Sequence, residues 1–202
     1  MKISLDFDGV ISDTINSWVD KYNNIYAYDL QTDFITSRDI DKWGFYEKLN
    51  ISQDTCFDIF SMAWGDWMNL KPMEPHLKQK TKMLNNLAPV DIVTAVQPEH
   101  LEDIEKWLKY HNITYNNLVH STAKHELDYD IYIDDAVKNI QAVFDAGKHG
   151  LLLNQPWNVD MRDQQKPVMI SNTKYKIQGS ITRVYNLYHA IDVVRDIVND
   201  KQ

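Results

Sequence analysis

Lys2-Ile3-Ser4-Leu5-Asp6-Phe7-Asp8-Gly9-Val10 decides how the chain is read. Lys2–Phe7 has the short apolar character of a strand, in which successive side chains leave on opposite faces. Leu5 and Phe7 then share one side, and Asp6 and Asp8 the other. A strand buried on both faces does not carry unpaired acids, because desolvating a charge is costly. Gly9 permits a backbone geometry that other residues resist. The strand is expected to deliver two carboxylates to its carboxyl end, where open α/β sheets place their ligands. The alternative is a strand that runs out into a solvated turn; its partners downstream decide between the two.

Further apolar, β-branched or aromatic runs read as strands: Val90–Thr94, Leu118–His120, Ile131–Ile133, Gly150–Asn154 and, more weakly, Thr182–Tyr185. Helical patterns lie between and after them, over Pro98–Tyr110, Ala136–Ala146 and Leu187–Val198. Gly147 reads as a helix terminator. Alternating strands and helices predict an α/β fold with a doubly wound parallel sheet. Residues 14–88 break this rhythm. They hold four of the six tryptophans and no convincing strand. We read them as a small helical cap inserted after the first strand, with Pro72 and Pro75 marking the return to the core. The core domain is then residues 1–13 and 89–202. Val159–Ser180 reads as a long polar excursion without a functional account.

The 202 residues suffice for a core domain plus an insertion, and 44% hydrophobic with 25% charged residues is ordinary for a soluble globular protein. A net charge of −8 argues against a long nucleic acid as main partner. A small anionic substrate remains compatible, given a local lysine and a divalent cation. A single cysteine, Cys56, excludes an intramolecular disulfide and fits a reducing compartment. No signal-peptide pattern or membrane-length apolar run is present, so the expected location is the cytoplasm, with no membrane partner. A homodimer stays open.

Three further signals match the first. Asp91-Ile92-Val93-Thr94-Ala95 is a strand ending in a hydroxyl. Ile131-Tyr132-Ile133-Asp134-Asp135 is a strand ending in two acids. Lys124 lies ten residues before Asp134, in the loop after the third strand. As parallel neighbours, these strands bring acids, hydroxyl and ammonium to one edge of the sheet. Each residue also has a plain structural reading. Asp135 could cap the helix starting at Ala136, Thr94 could be a strand residue only, and Lys124 a surface lysine with Lys138 as its competitor. Asn139 could anchor the loop by hydrogen bonding. Asp13 reads as a helix-start residue.

Asp-x-Asp, Thr, Lys and Asp-Asp, each after a strand and in that order, resemble the haloacid dehalogenase superfamily of phosphohydrolases. The resemblance covers essentially the whole chain. It implies that Asp6 attacks phosphorus to form an aspartyl-phosphate and that Asp8 is the general acid and base. It implies Mg²⁺ held by Asp6, the backbone carbonyl of Asp8, Asp134 and Asp135, so that Asp6, Asp8, Asp134 and Asp135 form the metal site. Thr94, Ala95 and Lys124 would bind the phosphoryl group.

Thirty residues between Thr94 and Lys124 leave no room there for another domain, so the insertion follows the first strand. That position resembles the small-cap class. Within it, Asp6-Phe7-Asp8-Gly9-Val10 with Asp13, Leu70-Lys71-Pro72-Met73, Lys124 before Ile133-Asp134-Asp135, and Asn154-Gln155-Pro156-Trp157-Asn158 resemble the 5′(3′)-deoxyribonucleotidases. The implied substrate is a small phosphate monoester, a (deoxy)nucleoside monophosphate, with its base on aromatic cap residues. Trp43, Phe45, Trp64 and Trp67 are the candidates. Phe57, Phe60, Trp64 and Trp67 also have the spacing of a core-facing helix stripe. A phosphatase or mutase for a sugar phosphate or phosphoglycolate is the first alternative. A non-catalytic nucleotide-binding protein on the same fold is the second, and a phosphatase of nucleic-acid ends the third.

Overall fold

Ile, Val and Leu dominate the central strands because a parallel sheet is covered on both faces. The computed structural model describes residues 1–28, 33–171 and 174–200, and within them the side chains of all but 26, 168–171 and 174–176. Its strands are β1 (Ile3–Leu5), β2 (Val90–Thr94), β3 (Leu118–His120), β4 (Ile131–Asp134), β5 (His149–Leu153), β6 (Gln164–Ser171) and β7 (Lys174–Val184). They form one sheet in the order β3-β2-β1-β4-β5-β7-β6. Neighbours run parallel except β6 and β7.

The helices are α1 (Thr14–Lys21), α2 (Gln53–Gly65), α3 (Leu77–Leu87), α4 (Leu101–Tyr110), α5 (Val137–Asp145) and α6 (Leu187–Asn199). Alternation along the strands assigns the two faces. Ile131, Ile133, Leu151 and Leu153 join the larger core with Leu84, Trp107 and Ile191 of α3, α4 and α6. Tyr132 and Leu152 face the other way, with Ile140 and Val143 of α5. The sheet is thus covered on both sides, as the sequence predicts. Gly147, at φ +75°, ends the α5 segment, and its N–H donates to the Phe144 carbonyl.

The stretch after β1 builds on Trp18. Its ring stacks on Tyr22 at 5.3 Å, meets the edge of Phe45 at 4.9 Å, and its Nε1 donates to the Cys56 carbonyl. This apolar cluster is continuous with the larger sheet core. The outgoing and returning chains pair at the neck: Ser12 bridges Pro72, Asp13 N–H donates to the Lys71 carbonyl, and Met73 N–H to that of Ile11. These bonds form a neck at Pro72, and α3 follows it on the returning chain. That helix packs on β2 and α6, on the flank of the sheet.

One correction concerns Val159–Ser180. It is no irregular excursion: β6 and β7 form an antiparallel hairpin that extends the sheet, and β7 starts well before Thr182. Residues 172–173 of this stretch lie outside the described residues. Its polar sequence conceals the strands because β6 is an edge, where one side meets water and an apolar run is not required. Pro167 accords with that position, since an edge strand tolerates a missing N–H.

Candidate active site

Register brings the chemistry together. Leu5 pairs with Ile92 on one side and Ile133 on the other. One residue further along, Asp6 and Asp134 are neighbours at the carboxyl edge of the sheet. Asp6 N–H still donates to the Ile133 carbonyl at 2.9 Å. Thr94 ends β2 at the same edge, and Lys124 enters it from a short 3₁₀ turn after β3.

Lys124 is the centre of the charges. Its Nζ lies 2.7 Å from Asp6 Oδ1 and 2.8 Å from Asp134 Oδ2, and the side chain is 4% exposed. It is no surface lysine; the competitor Lys138 is exposed. The turn presenting Lys124 is fixed by Lys148, whose Nζ donates to the His125 carbonyl at 2.9 Å and the Leu127 carbonyl at 2.5 Å. Asp134 accepts from Ala136 N–H at 2.8 Å and from Asn139 Nδ2 at 3.0 Å, the loop anchor expected of Asn139. Asp135 does not cap the following helix: the residue at that cap is Ala136, and Asp134 takes its N–H. Asp13 caps α1, as expected.

Burial pushes the Asp6 carboxyl well above its ordinary value, against the pull of Lys124. Asp135 is raised in the same way, by burial and then by Asp134. Burial opposes the charge on Lys124, but the flanking carboxylates outweigh it and hold its pKa above the usual lysine value. Asp8 is raised by burial, while bonds from Thr14 and Trp64 favour its charged form.

Asp6, Asp134 and Asp135 each present a carboxylate oxygen within 4.8 Å of the others. Four acids with Asp8 against one lysine leave an excess of buried negative charge. Hard oxygen donors in that arrangement suit a divalent cation such as Mg²⁺ or Mn²⁺. The cluster can therefore hold a metal. The Asp8 carboxylate is not in this trio. It turns aside, its Oδ1 accepting from Thr14 Oγ1 at 2.5 Å and from Trp64 Nε1 at 2.9 Å. Thr94 is fully buried, and its hydroxyl accepts from Val96 N–H; Ala95 beside it is exposed.

The four aromatic candidates separate. Trp64 is 5% exposed, stacks on Phe60 and spends its N–H on Asp8. Phe45 is 2% exposed against Trp18, with no ring face left for a base. Trp67 packs on Tyr110. Trp43 is half exposed, its ring 6.3 Å from that of Trp157. Residue-type reasoning missed the support from the loop after β5. Trp157 Nε1 donates to Asp135 Oδ2, Asn158 Nδ2 to the Asp135 carbonyl, and Gln155 Nε2 to the Gly9 carbonyl. The signal was an indole and two amides directly after a strand at the ligand edge.

Gly9 closes the site. Its φ is +67°, and a Cβ there would lie 2.3 Å from Asp135 Oδ2. Gly9→Ala should lower the melting temperature by about 2–8 °C from the backbone strain alone. It should also displace Asp135. An unchanged melting curve would contradict the strain.

Solved structures share this architecture at low identity. A haloacid dehalogenase-like family hydrolase from Streptococcus pneumoniae is 15% identical, with 76% of this chain and 84% of that one covered and a TM-score of 0.58. A HAD-superfamily hydrolase of subfamily IA from Geobacter sulfurreducens is 9% identical, over 96% and 95%, at 0.57. Protein tyrosine kinase A from Mycobacterium tuberculosis is 7% identical, over 96% and 97%, at 0.63. The fold is thus the haloacid dehalogenase-like α/β type. No curated protein matches the chain. The family model for 5′ nucleotidase, deoxy (pyrimidine), cytosolic type C protein matches residues 1–173. The chain belongs to that family and is an enzyme of the phosphatase and nucleotidase class. Among the described residues, no helix is long and apolar enough to cross a membrane.

Proposed function

We propose that the enzyme is a Mg²⁺-dependent phosphomonoesterase acting on (deoxy)nucleoside monophosphates through an aspartyl-phosphate. The observation that carries the chemistry is Lys124 seated between Asp6 and Asp134 inside a buried carboxylate trio, with Asp8 two residues beyond Asp6. Asp6 attacks phosphorus in line, and the P–O bond to the leaving group breaks. Asp8 gives its proton to the departing oxygen, then takes one from the water that hydrolyses the acyl phosphate. Lys124, the Thr94 hydroxyl and the Ala95 N–H hold the phosphoryl oxygens. Asp6, Asp134, Asp135 and the backbone carbonyl of Asp8 would hold Mg²⁺. Its charge relieves the repulsion between nucleophile and phosphate.

The stretch from Thr14 to the neck at Pro72 is the cap, with Trp43 the one aromatic candidate offering an exposed face near the site. A nucleoside is favoured over a sugar phosphate by the family description. The same description and the lone cysteine favour the cytoplasm.

Two measurements test this. A phosphate-release screen over deoxy- and ribonucleoside 5′- and 3′-monophosphates and sugar phosphates should be led by nucleotides and silenced by chelator. Undiminished release in excess EDTA would sink the metal reading, and a lead by sugar phosphates would sink the nucleotide one. Separately, Mg²⁺ at a hundred times its Kd should stabilise the fold by about 2.7 kcal/mol. That raises the melting temperature by about 5–11 °C. No shift would remove the metal from the site.

A further inference from the structure

The segment Pro156–Asn158 is a single 3₁₀ turn, yet it grips Asp135 at both ends. Trp157 Nε1 donates to the side-chain oxygen Oδ2 at 2.8 Å, and Asn158 Nδ2 to the backbone carbonyl at 2.8 Å. Both residues are buried, Trp157 at 8% and Asn158 at 2% exposure. The turn is itself held rigidly. Asn158 Nδ2 also donates to the Leu153 carbonyl, closing the turn onto the end of β5. Arg183 of β7 donates to Asn158 Oδ1, to the Asn158 carbonyl and to Asn154 Oδ1. The indole therefore stands on a braced turn rather than a free loop.

We infer that Trp157 is a positioning residue for Asp135: its N–H fixes the rotation of that carboxylate and so sets the affinity of the trio for a divalent cation. The inference rests on the metal reading above. A carboxylate turns about one bond at little cost in water, but here one oxygen is tied to a buried donor on a rigid ring. Gly9 lies beside the same oxygen, where a Cβ would come within 2.3 Å of it, so the indole bond holds the carboxylate in a place with little room around it. Outer partners of this kind commonly govern metal affinity by ten- to a hundredfold. The Trp157 ring also lies 6.3 Å from that of Trp43, tilted by 59°, so the residue that holds Asp135 neighbours the inserted stretch.

The test is calorimetric titration of Mg²⁺ into the native protein and two variants, without substrate. Trp157→Phe keeps a flat ring and loses the donor; the Mg²⁺ Kd should rise about ten- to a hundredfold. The Mg²⁺ concentration for half-maximal phosphate release should rise in parallel, and excess Mg²⁺ should restore turnover. A merely structural role would not be rescued by metal. Trp157→His places a ring nitrogen two bonds from Cγ, where the indole N–H sits, and should bind more tightly than Trp157→Phe. It also decides the matter if Trp157→Phe does not fold. A Trp157→Phe Kd equal to native would overturn the inference, as would Phe and His variants weakened alike. No Mg²⁺ binding by the native protein would instead bring down the metal reading itself.

Discussion

Asp6→Asn should abolish turnover, with kcat falling by roughly five orders of magnitude or more, about 7 kcal/mol of barrier. An amide oxygen is a poor nucleophile and cannot leave a hydrolysable acyl phosphate. The native environment makes the comparison clean, because the substitution is nearly isosteric and Lys124 keeps its bond to Asp134. Stability supplies the control. Burial raises the Asp6 carboxyl, so the stability it contributes is present at low pH and lost as pH climbs past its raised value. At neutral pH an uncharged Asn relieves that cost, and the melting temperature in EDTA should not fall. Loss of turnover without loss of folding isolates the chemistry. A decrease of only about tenfold, near 1.4 kcal/mol, would assign the attack to water and leave Asp6 as a ligand alone.

How much of the site is legible in the sequence depends on where each signal lives. Asp6, Thr94 and Asp134 were legible because each ends an apolar run. A charge or hydroxyl in that place sits where a buried strand meets water or a ligand. Their convergence needed only parallel order, which the strand and helix rhythm supplies. Lys124 was harder, since a lysine in a loop is ordinarily solvated, and only the third dimension shows it 4% exposed between two acids. The β6–β7 hairpin is hard to read because its sequence is largely polar and β6 lies at the edge, where periodicity is weakest. The tryptophans show the sharpest limit. A stripe at helical spacing says that Trp64 is buried, but not that its N–H is aimed at Asp8. Trp157 was visible only as part of a string, because an indole is read as apolar until its donor has a partner.

Asp8→Asn should behave differently from Asp6→Asn, and the difference defines its role. Both donors to Asp8, Thr14 Oγ1 and Trp64 Nε1, meet the same oxygen, Oδ1. Under the proposed mechanism the proton would then sit on Oδ2, the oxygen to which neither of them donates. Burial raises the group, which favours the protonated acid that the first step needs. Asn at this position keeps the size and can still accept from Thr14 and Trp64, so the fold and the binding of phosphate should survive. It cannot supply a proton. Turnover of a nucleoside monophosphate, whose alkoxide leaves poorly, should fall by roughly two to four orders of magnitude. With p-nitrophenyl phosphate the leaving group departs without a proton, and the loss in kcat/KM should largely vanish. The measurement is kcat/KM for both substrates on both proteins, because that parameter reports the chemistry up to departure of the leaving group. An equal loss on good and poor leaving groups would remove Asp8 from the acid role. The contacts from Thr14 and Trp64 would then serve only to hold the neck of the cap against the sheet.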